Sequence, residues 1–486
     1  MDRAAAAAPD ARAVRDDTGS WTYRELLAAA ERVAGWLRYR GLGHGDRLLT
    51  FLPNSRHLLA ILYGALRSGI ILVPVSSQAR PYQLQAIIRD CEPRLILAES
   101  PDAPRTAATI PPEHRVAGLD ELLGEWETID RPTADTVVDP SDVAVLIYTS
   151  GSTAGPKGVV SRHRQVTFAT RAIAARLAYR PDDVVFCRLP LSFDYGLYQA
   201  FLCAEAGAEL VVSAAHDELS VYRSMRDSGA TVLPLVPPAA LTLLRLAGRQ
   251  DTLRPRLITN TGAELTSAVA ARLREAFPGV SIVAMYGMTE CKRITIASPD
   301  ADLVKPNTVG TALPGTHVEV VGPDGETLPT GMVGEIVVRG PHVMDGYWAD
   351  PEASARRFPV DSVTGERRLR TGDHGFLDDD GALTFVGRRD DIFKRNGVRT
   401  SLNEIEAAAL DVPGVLEAAA ALVGRNQECV LWIQSALRPE RVMKEVADRL
   451  GTAKVPDRCL IVRAMPRTTS GKIDKVQLGA DLVVTE

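Results

Sequence analysis

Short apolar runs that do not alternate with polar residues recur through the first half of the chain, at residues 70–73, 95–97, 143–148, 184–187 and 210–212. A strand with one wet face alternates, whereas a strand covered by helices on both faces reads as a continuous apolar run. The segments between these runs have helical spacing. Residues 24–39 place Leu26, Leu27, Val33 and Leu37 on one side before Gly41 interrupts, and residues 56–67 repeat the pattern before Gly69. Helix followed by buried strand predicts an α/β fold with helices layered on a sheet. Periodicity alone gives no strand order.

From residue 309 onward Gly and Pro turns separate segments such as 317–321 and 334–339, which predicts a β-rich subdomain. At 486 residues the chain exceeds what one hydrophobic core serves, so several domains are expected. The charge-rich segment Gly387-Arg388-Arg389-Asp390-Asp391 marks the expected junction. Before it lies a large multi-subdomain unit, residues 1–389. After it, helical segments at 402–410 and 440–450 flank the apolar run 429–433, which predicts a small α+β domain over 390–486.

Composition removes several classes. The hydrophobic fraction is 45%, the charged fraction 24% and the net charge −5, so a soluble globular chain is expected, with no broad positive field to draw a nucleic acid. The six cysteines lie far apart, without the close Cys/His spacing of a structural zinc site. No apolar stretch is long enough to cross a bilayer as a helix. The opening residues lack the basic start and apolar segment of a secretion signal, which makes the cytoplasm the expected location.

The segment Tyr148-Thr149-Ser150-Gly151-Ser152-Thr153-Ala154-Gly155-Pro156-Lys157-Gly158 follows a predicted buried strand. Its small residues let backbone amides approach an anion, its hydroxyls hydrogen-bond phosphate, and Lys157 supplies a cation. Its spacing differs from the Gly-x-x-x-x-Gly-Lys-Ser/Thr loop, and by composition alone it also reads as a surface turn. Its ordered residues nevertheless resemble the signature of the adenylate-forming superfamily, which includes acyl and aryl CoA ligases, carrier-linked amino-acid adenylation enzymes and firefly-type luciferases. Ala154 departs from the glycine most relatives carry there.

The resemblance continues in the family's order from about Trp21 to Lys475, and it implies a nucleotide site for ATP and Mg²⁺. Thr149, Ser150, Gly151, Ser152, Thr153 and Lys157 would hold phosphates. In Met285-Tyr286-Gly287-Met288-Thr289-Glu290 the resemblance places Tyr286 against adenine, Gly287 and Thr289 beside the nucleotide, and Glu290 on Mg²⁺ together with Thr153. An aromatic face suits a purine and a hard carboxylate oxygen suits magnesium. Thr371-Gly372-Asp373 resembles the ribose-binding turn, with Asp373 accepting from the ribose hydroxyls, and Arg388 donates to the nucleotide. Asn260-Thr261-Gly262 falls where relatives line the adenine and part of the acid pocket. Asp390 corresponds to a hinge and Lys394-Arg395-Asn396-Gly397 to the motif after it, which implies a mobile small domain. Met465-Pro466-Arg467-Thr468-Thr469-Ser470-Gly471-Lys472 resembles the terminal lysine motif, in which Lys472 bridges the substrate carboxylate and α-phosphate.

The segment Leu191-Ser192-Phe193-Asp194-Tyr195-Gly196-Leu197-Tyr198 falls where amino-acid adenylation enzymes carry Phe-Asp-x-Ser and aryl CoA ligases carry Pro-x-x-His. The first likeness implies that Asp194 pairs with a substrate amine. Read on its own, Asp194 is equally a helix-start aspartate. Tyr195, Tyr198, Asn260, Met285 and Arg293 are the expected pocket walls. The function expected is activation of a carboxylic acid, preferably amino-bearing, to an acyl adenylate. Transfer to the phosphopantetheine thiol of a holo carrier protein is the leading fate for an amino-acid-like ligase, and with no carrier domain evident in the sequence that carrier would be a separate protein. CoA and a small amine are the alternative acceptors. A nucleotide-binding regulator without catalysis is the non-enzyme reading, which the presence of Lys472 and Glu290 disfavours.

Overall fold

The computed structural model describes residues 1–486 apart from 80, 101–105, 107–109, 126–136, 150–155, 216, 249–251, 362–363, 389–391, 396–397, 425–426, 469–471 and 484–486. Within the described residues the chain forms a large α/β unit with β-sheet subdomains, followed by a smaller α+β domain. The expected boundary at 389/390 falls outside the described residues.

Two sheets build the large unit. A six-stranded sheet runs in the order Val116–Gly118, Leu95–Ala98, Arg47–Leu52, Ile71–Ser76, Val143–Thr149 and Lys157–Arg162, parallel except for its last strand. The strand predicted to stop before Pro74 continues through it to Ser76. Pro74 is tolerated because toward Val143–Thr149 the strand pairs only at Leu72, in register with Val145, so the missing N–H breaks no ladder on that side.

The second sheet has thirteen strands and joins two regimes. Its parallel part includes Glu209–Val212, Val184–Cys187, Val232–Leu235, Leu257–Asn260 and Ser281–Tyr286. Thr295–Ile296 pairs antiparallel with Ser281–Tyr286, and from there the sheet continues into the predicted β-rich region. The β-rich subdomain is thus an extension of the α/β sheet, a continuity that local pattern does not reveal.

Helices cover the sheets as the apolar spacing predicts. Tyr23–Tyr39 starts at a reciprocal cap between Thr22 and Glu25, an arrangement that contributes about 1 kcal/mol. It packs on Arg56–Arg67 so closely that a Cβ on Gly64 would stand 2.7 Å from Val33. Asp194–Ala206 is buried on nearly every side, and one core joins it to Leu48 and Leu72 of the first sheet and Val185 and Leu210 of the second. A helix apolar all round belongs between layers.

The small domain pairs Val415–Val423, Glu428–Ser435 and Arg458–Ile461. Alternate residues face opposite sides: Leu431 and Ile433 meet the helices Leu402–Leu410 and Pro439–Leu450, while Val430 and Trp432 meet Met465 and Leu478. No helix among the described residues is long and apolar enough to cross a membrane.

Candidate active site

A cleft of about 930 Å³ opens at the carboxyl ends of parallel strands from both sheets and collects most of the residues singled out from sequence. Strand Val143–Thr149 delivers Thr149, and Lys157 opens the returning strand Lys157–Arg162. Leu257–Asn260 ends on Asn260, followed by Thr261 and Gly262, and Ser281–Tyr286 ends on Met285 and Tyr286. Carboxyl ends of parallel strands are where open α/β sheets bind ligands. A more open groove of about 1100 Å³, lined by Tyr63, Arg67, Phe168 and Arg171, gathers none of these residues.

The turn after Tyr286 needs its glycine. A Cβ on Gly287 would lie 1.9 Å from the Lys292 carbonyl oxygen, so only a bare backbone lets the 287–293 loop fold onto itself. This close return carries Thr289, Glu290 and Arg293 to the cleft wall. Glu290 is buried, and its Oε1 accepts from the Tyr347 hydroxyl at 2.8 Å.

Thr371-Gly372-Asp373 is not a free turn. It lies inside the strand Arg368–Leu377, where the register against Gly334–Arg339 slips between Glu335 and Val337, with Gly372 at φ +67°. The bulge re-aims Asp373 into the cleft. Thr371 locks it: Oγ1 donates to the Ile336 carbonyl at 2.6 Å and accepts from the Asp373 N–H at 3.1 Å. Asp373 Oδ2 accepts from the Tyr286 hydroxyl at 2.7 Å. Burial raises the Asp373 pKa, opposed by this hydrogen bond and by the charges of Arg388 and Arg357. Arg388 pairs with Asp373 at 3.5 Å, but its side chain is 64% exposed, so the pair itself adds little.

Lys472 reaches the same cleft from the small domain. Thr468 N–H donates to the Lys472 carbonyl at 2.8 Å and Arg467 bridges Ile473, which ties Lys472 to the chain before it. The residue keeps contact with solvent, yet its Cε lies 3.9 Å from where a Cβ on Gly262 would stand. Burial of the ammonium and then the Arg388 charge lower its pKa, while Asp194 and Asp373 act in the opposite direction.

Asp194 is the first residue of its helix and lines the cleft. Its Oδ2 accepts from Arg293 Nη1 at 3.1 Å, with the two side chains 4% and 5% exposed. Arg293 also lies over the Tyr195 ring, 4.7 Å from its centroid. Tyr195 and Tyr198, expected on the pocket wall, stand behind it. The Tyr195 hydroxyl is held by Thr259 at 2.8 Å, and Tyr198 packs edge-on against Phe201 with Lys292 over its face. On a helix, residue i+1 turns off the face of residue i and residue i+4 sits one turn farther along, so of these three Asp194 is the one that lines the cleft.

Ser150, Gly151, Ser152, Thr153, Asp390 and Asn396 lie outside the described residues. Sequence reasoning missed Lys292, Tyr347 and Arg357. Lys292 is buried beneath the loop and donates to the Thr289 carbonyl at 3.0 Å. Arg357 donates to the Thr371 carbonyl at 2.5 Å. Tyr347 follows a glycine in a loop, and none of the three has a local signature.

The donor set fits a nucleotide and magnesium. Thr261 Oγ1 is buried with no hydrogen-bond partner among the described residues, and its residue lines the cleft, a cost that a bound polar ligand relieves. No cluster of three or more metal-ligating side chains occurs among the described residues. Magnesium bound by one carboxylate and substrate phosphates needs none, and the cleft wall offers the Glu290 carboxylate.

Comparison with known proteins agrees. Residues 1–348 match the AMP-binding enzyme family and residues 404–472 the AMP-binding enzyme C-terminal domain. An L-proline–(L-prolyl-carrier protein) ligase from Pseudomonas fluorescens is 30% identical over 97% of this chain and 96% of its own length. The crystal structure of VinN is 41% identical, with a TM-score of 0.74 over 79% of this chain and 97% of that one. ATP-bound MatB from Rhodopseudomonas palustris is 27% identical, with a TM-score of 0.86 over 97% of this chain and 96% of that one. Both halves of the chain, the cleft they share and the donors in it identify the protein as a member of the AMP-binding, adenylate-forming enzymes, a ligase that uses ATP and Mg²⁺ to activate a carboxylic or amino acid as its acyl adenylate.

Proposed function

We propose that this enzyme activates an amino-dicarboxylic acid of the aspartate class and passes the acyl group to the phosphopantetheine thiol of a separate carrier protein. The observation that carries the substrate reading is the buried Asp194–Arg293 pair. It sets an anion and a cation side by side in the cleft wall, one engaged through Oδ2 and the other through Nη1, so the amine and second carboxylate of one small acid find opposite charges together. VinN, similar to this chain at 40% identity, has been solved in complex with L-aspartate. The carrier-protein reading draws support from the similar L-proline–(L-prolyl-carrier protein) ligase, whose acceptor is a carrier protein. A cytoplasmic location, where ATP is supplied and thiols stay reduced, belongs to the same reading.

Bound ATP supplies the electrophilic α-phosphorus and bound Mg²⁺ offsets phosphate charge. The chain's own groups do the rest. Asp373 accepts from the ribose hydroxyls, and the Tyr286 hydroxyl fixes its orientation. Thr149 and Lys157 would face the phosphates, Glu290 would hold the metal, and Asn260, Thr261 and Gly262 would border the base. Lys472 lowers the repulsion between two anions as they approach, which is electrostatic stabilisation rather than nucleophilic attack.

The test is pyrophosphate release with aspartate, asparagine, β-alanine and succinate, each of the last three lacking one group of the first. Aspartate is expected to exceed each analogue by about tenfold or more, the worth of one buried charged hydrogen bond. Asp194→Asn should erase the preference over succinate. Equal rates with aspartate, succinate and asparagine would sink the substrate reading. Product mass with holo carrier protein, CoA and a small amine then decides the acceptor.

A further inference from the structure

Tyr347 stands between two cleft residues that come from distant parts of the chain. Its hydroxyl donates to Glu290 Oε1 at 2.8 Å, and Lys157 Nζ lies 5.0 Å from the centroid of its ring. We propose that Tyr347 is a positioning residue that holds Lys157 and Glu290 in their working arrangement before the nucleotide arrives. The proposal rests on the roles given above to Lys157 in phosphate binding and Glu290 in metal binding.

The ring is placed rigidly. Val159 and Tyr347 form an antiparallel bridge, and Trp348 N–H donates to the Gly158 carbonyl at 2.7 Å, so the loop carrying Tyr347 is fastened to the strand that begins with Lys157. The Tyr347 N–H donates to Ser354 Oγ at 2.8 Å, and Phe358 meets the ring edge-on at 5.5 Å. Gly346, at φ +140°, allows this approach, because a Cβ there would stand 2.6 Å from Ser354 Oγ.

Both ends of the side chain are used. An ammonium is attracted to the face of an aromatic ring by the ring's quadrupole. A lysine is among the side chains with most rotamer freedom to lose, so seating it beforehand removes that cost from nucleotide binding. The phenol fixes one oxygen of Glu290 and leaves the other for a metal.

Two variants separate the two ends, read by calorimetric ATP binding to the full chain in EDTA and again in Mg²⁺, beside pyrophosphate-release kinetics. Tyr347→Phe keeps the ring. It should bind ATP in EDTA as the parent does, but lose roughly tenfold of the affinity gained from Mg²⁺, with KM for the acid unchanged. Tyr347→Leu should show the same loss and a further roughly two- to fivefold weakening in EDTA, the scale of an exposed cation–π contact. Tyr347→Met replaces it if the leucine chain does not fold. An unchanged Mg²⁺ gain in Tyr347→Phe overturns the hydroxyl's role, and equal EDTA affinities for the ring-retaining and ring-lacking variants overturn the ring's. Lys157→Ala and Glu290→Gln are measured in parallel. If these two leave ATP binding unchanged, the underlying site assignment fails. If they weaken it while the Tyr347 variants match the parent, only the positioning role fails.

Discussion

Lys292 is 1% exposed and carries an ammonium whose hydrogen bond goes to the Thr289 carbonyl, beneath the loop that lines the cleft. Burial lowers its pKa to about 8, opposed by the charges of Asp194 and Glu290. A lysine in the unfolded chain titrates near ~10.4. Between those values the unfolded chain holds a proton that the folded chain has released, so stability rises with pH through that window. Below pH 8 both states are charged and the burial penalty is present in full. Lys292→Met removes the titration, and its stability should vary less than the parent's from pH 8 to 10, by up to ~3 kcal/mol. Urea unfolding at stepped pH measures this, and parallel curves would show that Lys292 does not titrate there. Asp194 shows how far such residues are legible beforehand. Its helix-start position is visible in the sequence, but its partner Arg293 lies 99 residues away, and nothing local announces the pair.

At the scale of elements, runs buried on both faces were the most legible, because burial on two sides dictates composition over the whole strand. Val184–Cys187 falls where its run places it, and the strands His317–Val321 and Gly334–Arg339, set off by turn residues, and the helix Leu402–Leu410 also fall where their patterns place them. Pairing was not legible: Arg12–Asp16 lies beside Glu209–Val212, and no periodicity spans that separation. The bulge at Thr371-Gly372-Asp373 escaped for a different reason. Glycine between polar residues signals a turn, and only the neighbouring strand Gly334–Arg339 makes it a register slip. Gly372 occupies the left-handed region at φ +67°, and a Cβ there would stand 3.0 Å from Arg357 Nη1. Gly372→Ala is expected to cost about 1–2 kcal/mol of stability. It should also raise KM for ATP more than KM for the acid, since Asp373 hangs on the bulge. Denaturant unfolding and steady-state kinetics read the two effects, and equal changes in both KM values would detach the bulge from the nucleotide.

For the whole molecule, no apolar core cluster among the described residues spans the small and large domains, and charges influence one another across their junction. Burial raises the Glu264 pKa, and the like charge of Asp411 across the junction adds to it, while Glu417 of the small domain feels Arg245 and Glu218 of the large one. A polar contact that includes like charges is suited to opening. Yet this contact is what puts Lys472 within reach of Gly262 and the field of Asp194 and Asp373. If the small domain turns after the adenylate forms, as the family resemblance implies for the segment around Asp390, Lys472 should serve the first half-reaction and leave the second. Lys472→Ala removes charge and reach together. Loss of one well-placed electrostatic donor costs roughly a hundredfold or more in rate, and because Lys472 is exposed the substitution should leave folding intact. Rapid-quench formation of enzyme-bound adenylate is then compared with consumption of independently supplied acyl adenylate by the thiol acceptor. The expected result is a large defect in the first measurement and near-normal turnover in the second. Equal losses in both would mean that Lys472 stays in the cleft throughout, and the two domains would then work in one fixed arrangement.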